Sequence, residues 1–283
     1  MKIIECPRDA MQGLTGFIST GDKVNYINQL LKVGFDTIDF GSFVSAKAIP
    51  QLRDTVEVLN ELDVTTGKTK LLAIVANVRG AEEASRFESI SFLGFPLSIS
   101  ETFQQRNTNK SISEAFNAVE EIQNICIRSK KKLVVYISMG FGNPYGDPYD
   151  VNLVSQFVDI LVTLGVEIIS IADTIGISNP DTIFSLFSSL SKSNPKTEIG
   201  VHLHSNPLTA IEKIEAAYRA GCKRFDGAIN GLGGCPMAED DLVGNLATET
   251  ILSFLEGKGE KTSVNKEEFN KALIMAAEIF PKH

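Results

Sequence analysis

No apolar run in this sequence approaches the roughly 18 residues of a membrane-spanning helix, which excludes a helical membrane protein. The N-terminus also lacks the basic, apolar and small-residue order of a secretory signal, because Ile3-Ile4-Glu5-Cys6 reads directly as a strand. Together these absences lead to the expectation of a cytoplasmic protein with no membrane partner. Cysteine is scarce and scattered: Cys6, Cys126, Cys222 and Cys235 show no CxxC spacing, which argues for reduced thiols and against a disulfide frame or a zinc site. Positive charge is in deficit, with 27 Lys and Arg against 35 Asp and Glu for a net charge of -8. Such a balance repels a phosphate backbone, so nucleic acid is excluded as a general partner and small molecules are the class to consider. Low-complexity segments are absent as well.

What is present is an ordinary globular balance, 43% hydrophobic and 22% charged, able to bury a sizeable core. The 283 residues exceed the ~250 of an eight-fold β/α barrel by only a short extension. A rhythm runs through them. Val24, Ile27, Leu30 and Leu31 mark one helical face over 20–33, Gly34 offers a left-handed stop, and Thr37-Ile38-Asp39-Phe40 reads as a strand. Gly165 precedes Ile168-Ile169-Ser170-Ile171, and Gly221 precedes Arg224-Phe225-Asp226, in the same way. Helix, glycine, strand is the αβ turn of a parallel sheet.

Strands are expected near 2–7, 37–42, 70–76, 90–96, 132–138, 167–172, 199–204 and 223–229, each followed by a helix-sized segment. Apolar runs such as Leu71-Leu72-Ala73-Ile74-Val75 indicate strands covered on both faces. The predicted fold is a (β/α)8 TIM barrel, with a doubly wound open sheet as the alternative. Residues 1–283 are read as one catalytic domain, in which 256–283 form a helical extension packed on the barrel. In that extension Asn265 with Glu268 has capping-box spacing, and Phe269, Leu273, Ala276 and Phe280 mark an apolar face.

The strongest chemical pattern is Val201-His202-Leu203-His204-Ser205. Period-two geometry sends both imidazoles to one face, the lumen of a barrel, where they either share a divalent ion or are hydrogen-bonded core histidines. Pro7-Arg8-Asp9 follows the first strand, and closure of a barrel makes strands one, seven and eight neighbours. After the eighth strand, Asn230-Gly231-Leu232-Gly233-Gly234-Cys235-Pro236 allows close backbone approach to a ligand and presents a thiol. Gly244-Asn245 then opens a segment containing Glu249, and an asparagine carbonyl is a plausible oxygen ligand for a hard cation.

With these residues assembled, the sequence resembles 3-hydroxy-3-methylglutaryl-CoA lyase, within the metal-dependent lyases and condensing enzymes built on β/α barrels. The blocks that carry the resemblance are Glu5-Cys6-Pro7-Arg8-Asp9-Ala10-Met11-Gln12, Gly41-Ser42-Phe43-Val44-Ser45-Ala46-Lys47 with Pro50-Gln51, Ala172-Asp173-Thr174-Ile175-Gly176, His202-Leu203-His204, and Gly231-Leu232-Gly233-Gly234-Cys235-Pro236 with Gly244-Asn245-Leu246-Ala247-Thr248-Glu249. The resemblance implies cleavage of the acyl-CoA into acetyl-CoA and acetoacetate, as in leucine catabolism. It assigns a divalent cation, Mg²⁺ or Mn²⁺, to Asp9, His202, His204 and Asn245. Arg8 becomes the oxyanion stabiliser and Cys235, on a loop, the catalytic acid. Asp9 and His202 are alternative acceptors of the alcohol proton, with Asp173 and Glu249 acting behind them. Arg8, Gln12, Asp39, Ser42 and Lys47 are the residues expected to bind substrate, and Lys47, Arg106 and Lys110 are available to CoA phosphates. A homodimer is also implied. The related condensing synthases and aldolases are the alternative activity; they usually carry Glu-Arg where this chain has Cys235-Pro236. Departures from the lyase pattern are Asp39 in place of a common glutamate, an acidic loop at Glu239-Asp240-Asp241, and Met139 and Asn143 where cysteines are frequent.

Overall fold

The computed structural model describes residues 1–65, 67–234 and 243–280. Among them, eight parallel strands follow one another in chain order: β1 Lys2–Glu5, β2 Thr37–Ser42, β3 Lys70–Ile74, β4 Ile90–Ser98, β5 Lys132–Ser138, β6 Ile168–Asp173, β7 Glu198–Leu203 and β8 Arg224–Gly227. β1 pairs with both β2 and β8, which closes the barrel and excludes the open sheet that the periodicity also permitted. All eight expected strands are present. β1 stops at Glu5 because Pro7 opens the helix Pro7–Gln12; proline has no N–H for a ladder, and its fixed φ suits the first helical position. Arg8 and Asp9 therefore sit on a first helical turn.

Alternation along each strand divides the chain between two environments. In β5, Leu133, Val135 and Ile137 join the large cluster beneath the helices, while Val134 and Tyr136 join Leu72, Ile74, Phe92 and Ile168 inside the barrel. The lumen there is filled: a Cβ on Gly94 would meet Ile74 Cδ1 at 2.6 Å and Leu72 Cδ2 at 3.0 Å. The repeated turn forms as expected, with Gly34, Gly165 and Gly221 at φ of 82°, 82° and 96°.

The C-terminal helix Lys266–Ile279 starts at Asn265, whose side chain accepts the N–H groups of Glu267 and Glu268. Only half of the expected capping box forms, since the Glu268 carboxylate turns to Gln29 and Lys271 instead. Edge-on contacts of Phe269 with Phe35 and of Phe280 with Tyr26 fasten this extension to the barrel's outer layer.

Candidate active site

Barrel closure brings the two ends of the sequence to one rim. Asp9 lies next to His202 at the end of β7 and His204 just beyond it, with one ligand atom from each within 4.8 Å of the others. His202 Nε2 is 3.9 Å from Asp9 Oδ2, and the two imidazole centroids are 5.2 Å apart. All three residues are buried. The second ring nitrogen of each histidine is already committed: His202 Nδ1 lies 3.3 Å from Asp226 Oδ2, and His204 Nδ1 lies 2.7 Å from the Val243 carbonyl. A carbonyl only accepts, so His204 carries its proton on Nδ1 and keeps the Nε2 lone pair; the Asp226 carboxylate imposes the same tautomer on neutral His202. Two imidazole lone pairs and a carboxylate oxygen converging in a buried place form a donor set that fits a divalent cation, with the outer nitrogens anchored as metal-site histidines require.

Charge is arranged to match. Burial alone would raise the Asp9 carboxyl, but Arg8, then His202 and His204, and the Asn245 amide outweigh it and bring it down to about 2. Burial lowers His204, and neighbouring His202 lowers it further. Burial also acts to lower His202, yet its bond to Asp226 prevails and the ring is raised. Asn245 is buried beside Asp9, its Nδ2 donating to Asp9 Oδ2 at 2.6 Å and to the Leu232 carbonyl at 2.8 Å. In this arrangement the amide nitrogen faces the site, and ligation through Oδ1 requires the amide to turn over.

Arg8 is held on three sides. Its Nε and Nη2 donate to Asp39 Oδ2 at 2.9 and 2.5 Å, and its Nη1 donates to Asp9 Oδ1 at 2.9 Å and Gln12 Oε1 at 2.8 Å. Those bonds engage four of its five N–H groups, leaving one Nη2 hydrogen for a ligand. The shorter Asp39 therefore still reaches the guanidinium, at the cost of a buried Oδ1 without a hydrogen-bond partner. Burial pushes Asp39 up to about 6 against the pull of Arg8. Burial also acts to lower Arg8, but Asp39 and Asp9 prevail and hold its guanidinium more firmly protonated.

A cleft opens over this cluster. Arg8, Asp9, Gln12, His202 and His204 form its polar floor, and Val44, Ile49, Ile74, Pro96, Phe103 and Tyr136 contribute an apolar wall. Ser138, Thr174, Asn107 and Thr108 add hydroxyl and amide groups. Not every expected residue lines it. Ala172 and Thr174 face the cleft, so alternation along β6 turns Asp173 away, where it accepts from Ser178 and Lys213. Glu249 also stands off the cleft, its Oε2 accepting the Asn230 N–H at 3.2 Å. Ser42 is buried and receives the Val44 N–H, closing the turn after β2, whereas Lys47 is exposed. Arg106 lies over the Tyr145 ring at 4.7 Å. Cys235, Pro236 and the acidic loop at Glu239-Asp240-Asp241 lie outside the described residues.

Three residues of the site had escaped sequence reasoning. Tyr136 shares the lumen with Val134 by strand alternation, but nothing local marks it as a wall facing His202. Asp226 belongs to a recognised strand, yet its pairing with His202 is a matter of barrel register. Lys213, a buried lysine on the helix Ala210–Arg219, looks in sequence like any solvated helical charge.

The family model described as HMGL-like matches residues 2–275. The chain belongs to the HMGL-like family. The hydroxymethylglutaryl-CoA lyase of Bacillus subtilis (strain 168) is 35% identical over 266 residues, covering 94% of this chain and 88% of that protein. A solved HMG-CoA lyase from Bacillus subtilis superposes with a TM-score of 0.91 at 33% identity, covering 98% of this chain and 92% of the other. An HMG-CoA lyase from Acinetobacter baumannii, solved with coenzyme A and 3-methylmalate, superposes with a TM-score of 0.90 at 29% identity, covering 99% and 90% of the two chains. The family and the barrel thus agree with the resemblance drawn from the five sequence blocks.

Proposed function

We propose that this HMGL-like chain is a carbon–carbon lyase that cleaves 3-hydroxy-3-methylglutaryl-CoA into acetyl-CoA and acetoacetate. The observation that carries the reading is the meeting of Asp9 with His202 and His204 beside Arg8 at the barrel mouth. The whole of 1–283 is read as one catalytic unit. Asp9, His202 and His204, with Asn245 once its amide turns, would hold Mg²⁺ or Mn²⁺. When bound, that cation makes the tertiary alcohol of the substrate acidic enough to lose its proton near neutral pH.

The remaining work falls to the chain. Asp9, already a carboxylate, or His202 accepts the alcohol proton. The electron pair of the O–H bond becomes the ketone π bond of acetoacetate, the C2–C3 bond breaks, and its electrons pass to the thioester as an enolate. Arg8 directs its remaining Nη2 hydrogen at the thioester oxygen, where charge grows mainly in the transition state; Asp39 and Gln12 hold the guanidinium in that attitude beforehand. The enolate carbon takes a proton to give acetyl-CoA, and Cys235 is the donor in this reading. The apolar wall keeps bulk water from the enolate.

Among the described residues no helix is long and apolar enough to cross a membrane. Cytoplasmic residence, a part in leucine catabolism and a homodimer accompany the reading; light scattering on the purified protein tests the last. The decisive assay is incubation with 3-hydroxy-3-methylglutaryl-CoA and Mg²⁺ or Mn²⁺ with product identification by mass spectrometry. Stoichiometric acetyl-CoA and acetoacetate are expected, and absence of both with either metal refutes the proposal. Cys235→Ser should lower kcat about 100-fold or more while sparing metal content; unchanged turnover removes Cys235 from the reaction.

A further inference from the structure

Below the cleft, the barrel lumen carries charge where parallel barrels mostly carry branched aliphatic side chains. Arg224 opens β8 and is 1% exposed, and Asp226 stands two residues on, also 1% exposed. Two-residue spacing puts both on the same face. Register sets Arg224 opposite Lys2 and Asp226 opposite His202. From the lower rim upward the contacts run Lys2 to Glu198 at 2.6 Å, Glu198 to Arg224 at 3.6 Å, Arg224 to Asp226 at 3.9 Å and Asp226 to His202 at 3.3 Å. The column alternates in sign and ends on an imidazole of the rim cluster.

The two oxygens of Asp226 are used differently. Oδ1 faces Arg224 Nε and accepts no hydrogen bond, whereas Oδ2 faces His202 Nδ1. The carboxylate thus stands between the guanidinium, 3.9 Å from one oxygen, and the imidazole, 3.3 Å from the other. The neighbouring strand is shaped around this arginine. A Cβ on Gly200 of β7 would lie 2.7 Å from Arg224 Cδ, 2.8 Å from Cγ and 3.1 Å from Cβ, so the side chain follows a path that only glycine leaves open.

We infer that Arg224 is a positioning residue for the rim cluster: through Asp226 it sets the orientation of the His202 ring, keeping Nε2 turned toward Asp9 and His204. Arg224 does not line the cleft, so any effect it has on the cluster passes through Asp226. The inference rests on the reading of His202 as a metal ligand, and it extends that site down to the floor of the barrel.

The test is Mn²⁺ titration of metal-free protein by electron paramagnetic resonance, with Arg224→Met, Asp226→Asn, the double variant, Arg224→Lys and Gly200→Ala. Long-range ¹H–¹⁵N spectra of the His202 ring supply a readout that needs no metal. Asp226→Asn should weaken Mn²⁺ about 10- to 100-fold, the loss typical when the outer partner of a ligating histidine is altered, and Arg224→Met should weaken it in the same direction by no more than that. The double variant should bind as Asp226→Asn does, because Arg224 acts only through that carboxylate. Arg224→Lys should restore most of the affinity, and Arg224→Met should change the His202 nitrogen signals even without metal. Should Arg224→Met not fold, Gly200→Ala displaces the guanidinium without deleting it and should weaken Mn²⁺ in the same direction. Wild-type affinity in Arg224→Met, or in Gly200→Ala where that variant replaces it, overturns the inference, as do independent losses that multiply in the double variant. If the wild-type protein itself does not bind Mn²⁺, the metal reading of the site falls and this inference with it; if wild type binds and loses Mn²⁺ on His204→Ala while Arg224→Met binds normally, only the positioning role falls.

Discussion

Lys213→Met removes a single ammonium from beneath the active-site rim while keeping most of the side chain's apolar body. Lys213 is 3% exposed, and its Nζ donates to Asp173 Oδ2 at 2.9 Å, the Gly176 carbonyl at 2.9 Å and the His204 carbonyl at 2.8 Å. All three of its N–H groups are therefore used. The substitution leaves Asp173 with Ser178 but without its cation, and deprives two carbonyls of a donor. Removing one partner of a buried ion pair costs about 3–5 kcal/mol. The orphaned carbonyls belong to the same network, so their losses do not add independently. Against the roughly 5–15 kcal/mol by which a domain is stable, this is a large share, worth about 5–8 °C in Tm for a chain of this size. Urea unfolding near neutral pH should show a lower midpoint at unchanged slope. Because Lys213 holds the His204 backbone, Mn²⁺ affinity should fall as well. A midpoint shift equivalent to less than about 0.5 kcal/mol, no more than an ordinary surface substitution gives, would refute the reasoning.

Gly233→Ala should weaken metal binding at least tenfold, because at φ 99° its Cβ would come 2.6 Å from Asn245 Nδ2 and 2.9 Å from the Asp9 carbonyl; calorimetric titration with Mn²⁺ decides, and wild-type affinity would mean the Asn245 contact is dispensable. Burial pushes Glu5 up to about 8 from the usual 4.5, against the bonds it accepts from Thr248 and Ile229. The folded protein therefore holds a proton that the unfolded chain has released, so this contribution to stability is complete below about 4.5 and is lost as pH rises toward about 8. The slope approaches ~1.4 kcal/mol per pH unit. Urea midpoints compared near pH 5 and 8 should show this decline in wild type but much less of it in Glu5→Gln; an equal decline in both assigns it elsewhere. Arg8→Gln should lower kcat more than it raises KM, and a pure KM effect in steady-state assays limits Arg8 to binding substrate.

Strand and helix alternation was legible locally because a buried parallel strand must be apolar and because Gly34, Gly165 and Gly221 mark the turns into three of the strands. The stop at Gly34 and the strand Thr37–Ser42 needed nothing beyond their own residues. The parity of His202 and His204 was equally local, since strand geometry sends alternate side chains to one face. The block that contains Asp173 is recognisable and set it behind the reacting groups, but the partner it meets there, Lys213, comes from tertiary packing on the side of β6 away from the cleft.

By itself, then, the sequence determined the number of strands, the glycine turns before three of them and the shared face of His202 and His204, because these follow from short-range periodicity and residue type. Only the tertiary structure decided that the sheet closes, that Asp9 reaches His202 across most of the chain, and that Asp226, Arg224 and Lys213 stand behind the site. Such pairings depend on register between strands distant in sequence and on desolvated charges finding one another, and neither is encoded in any local pattern.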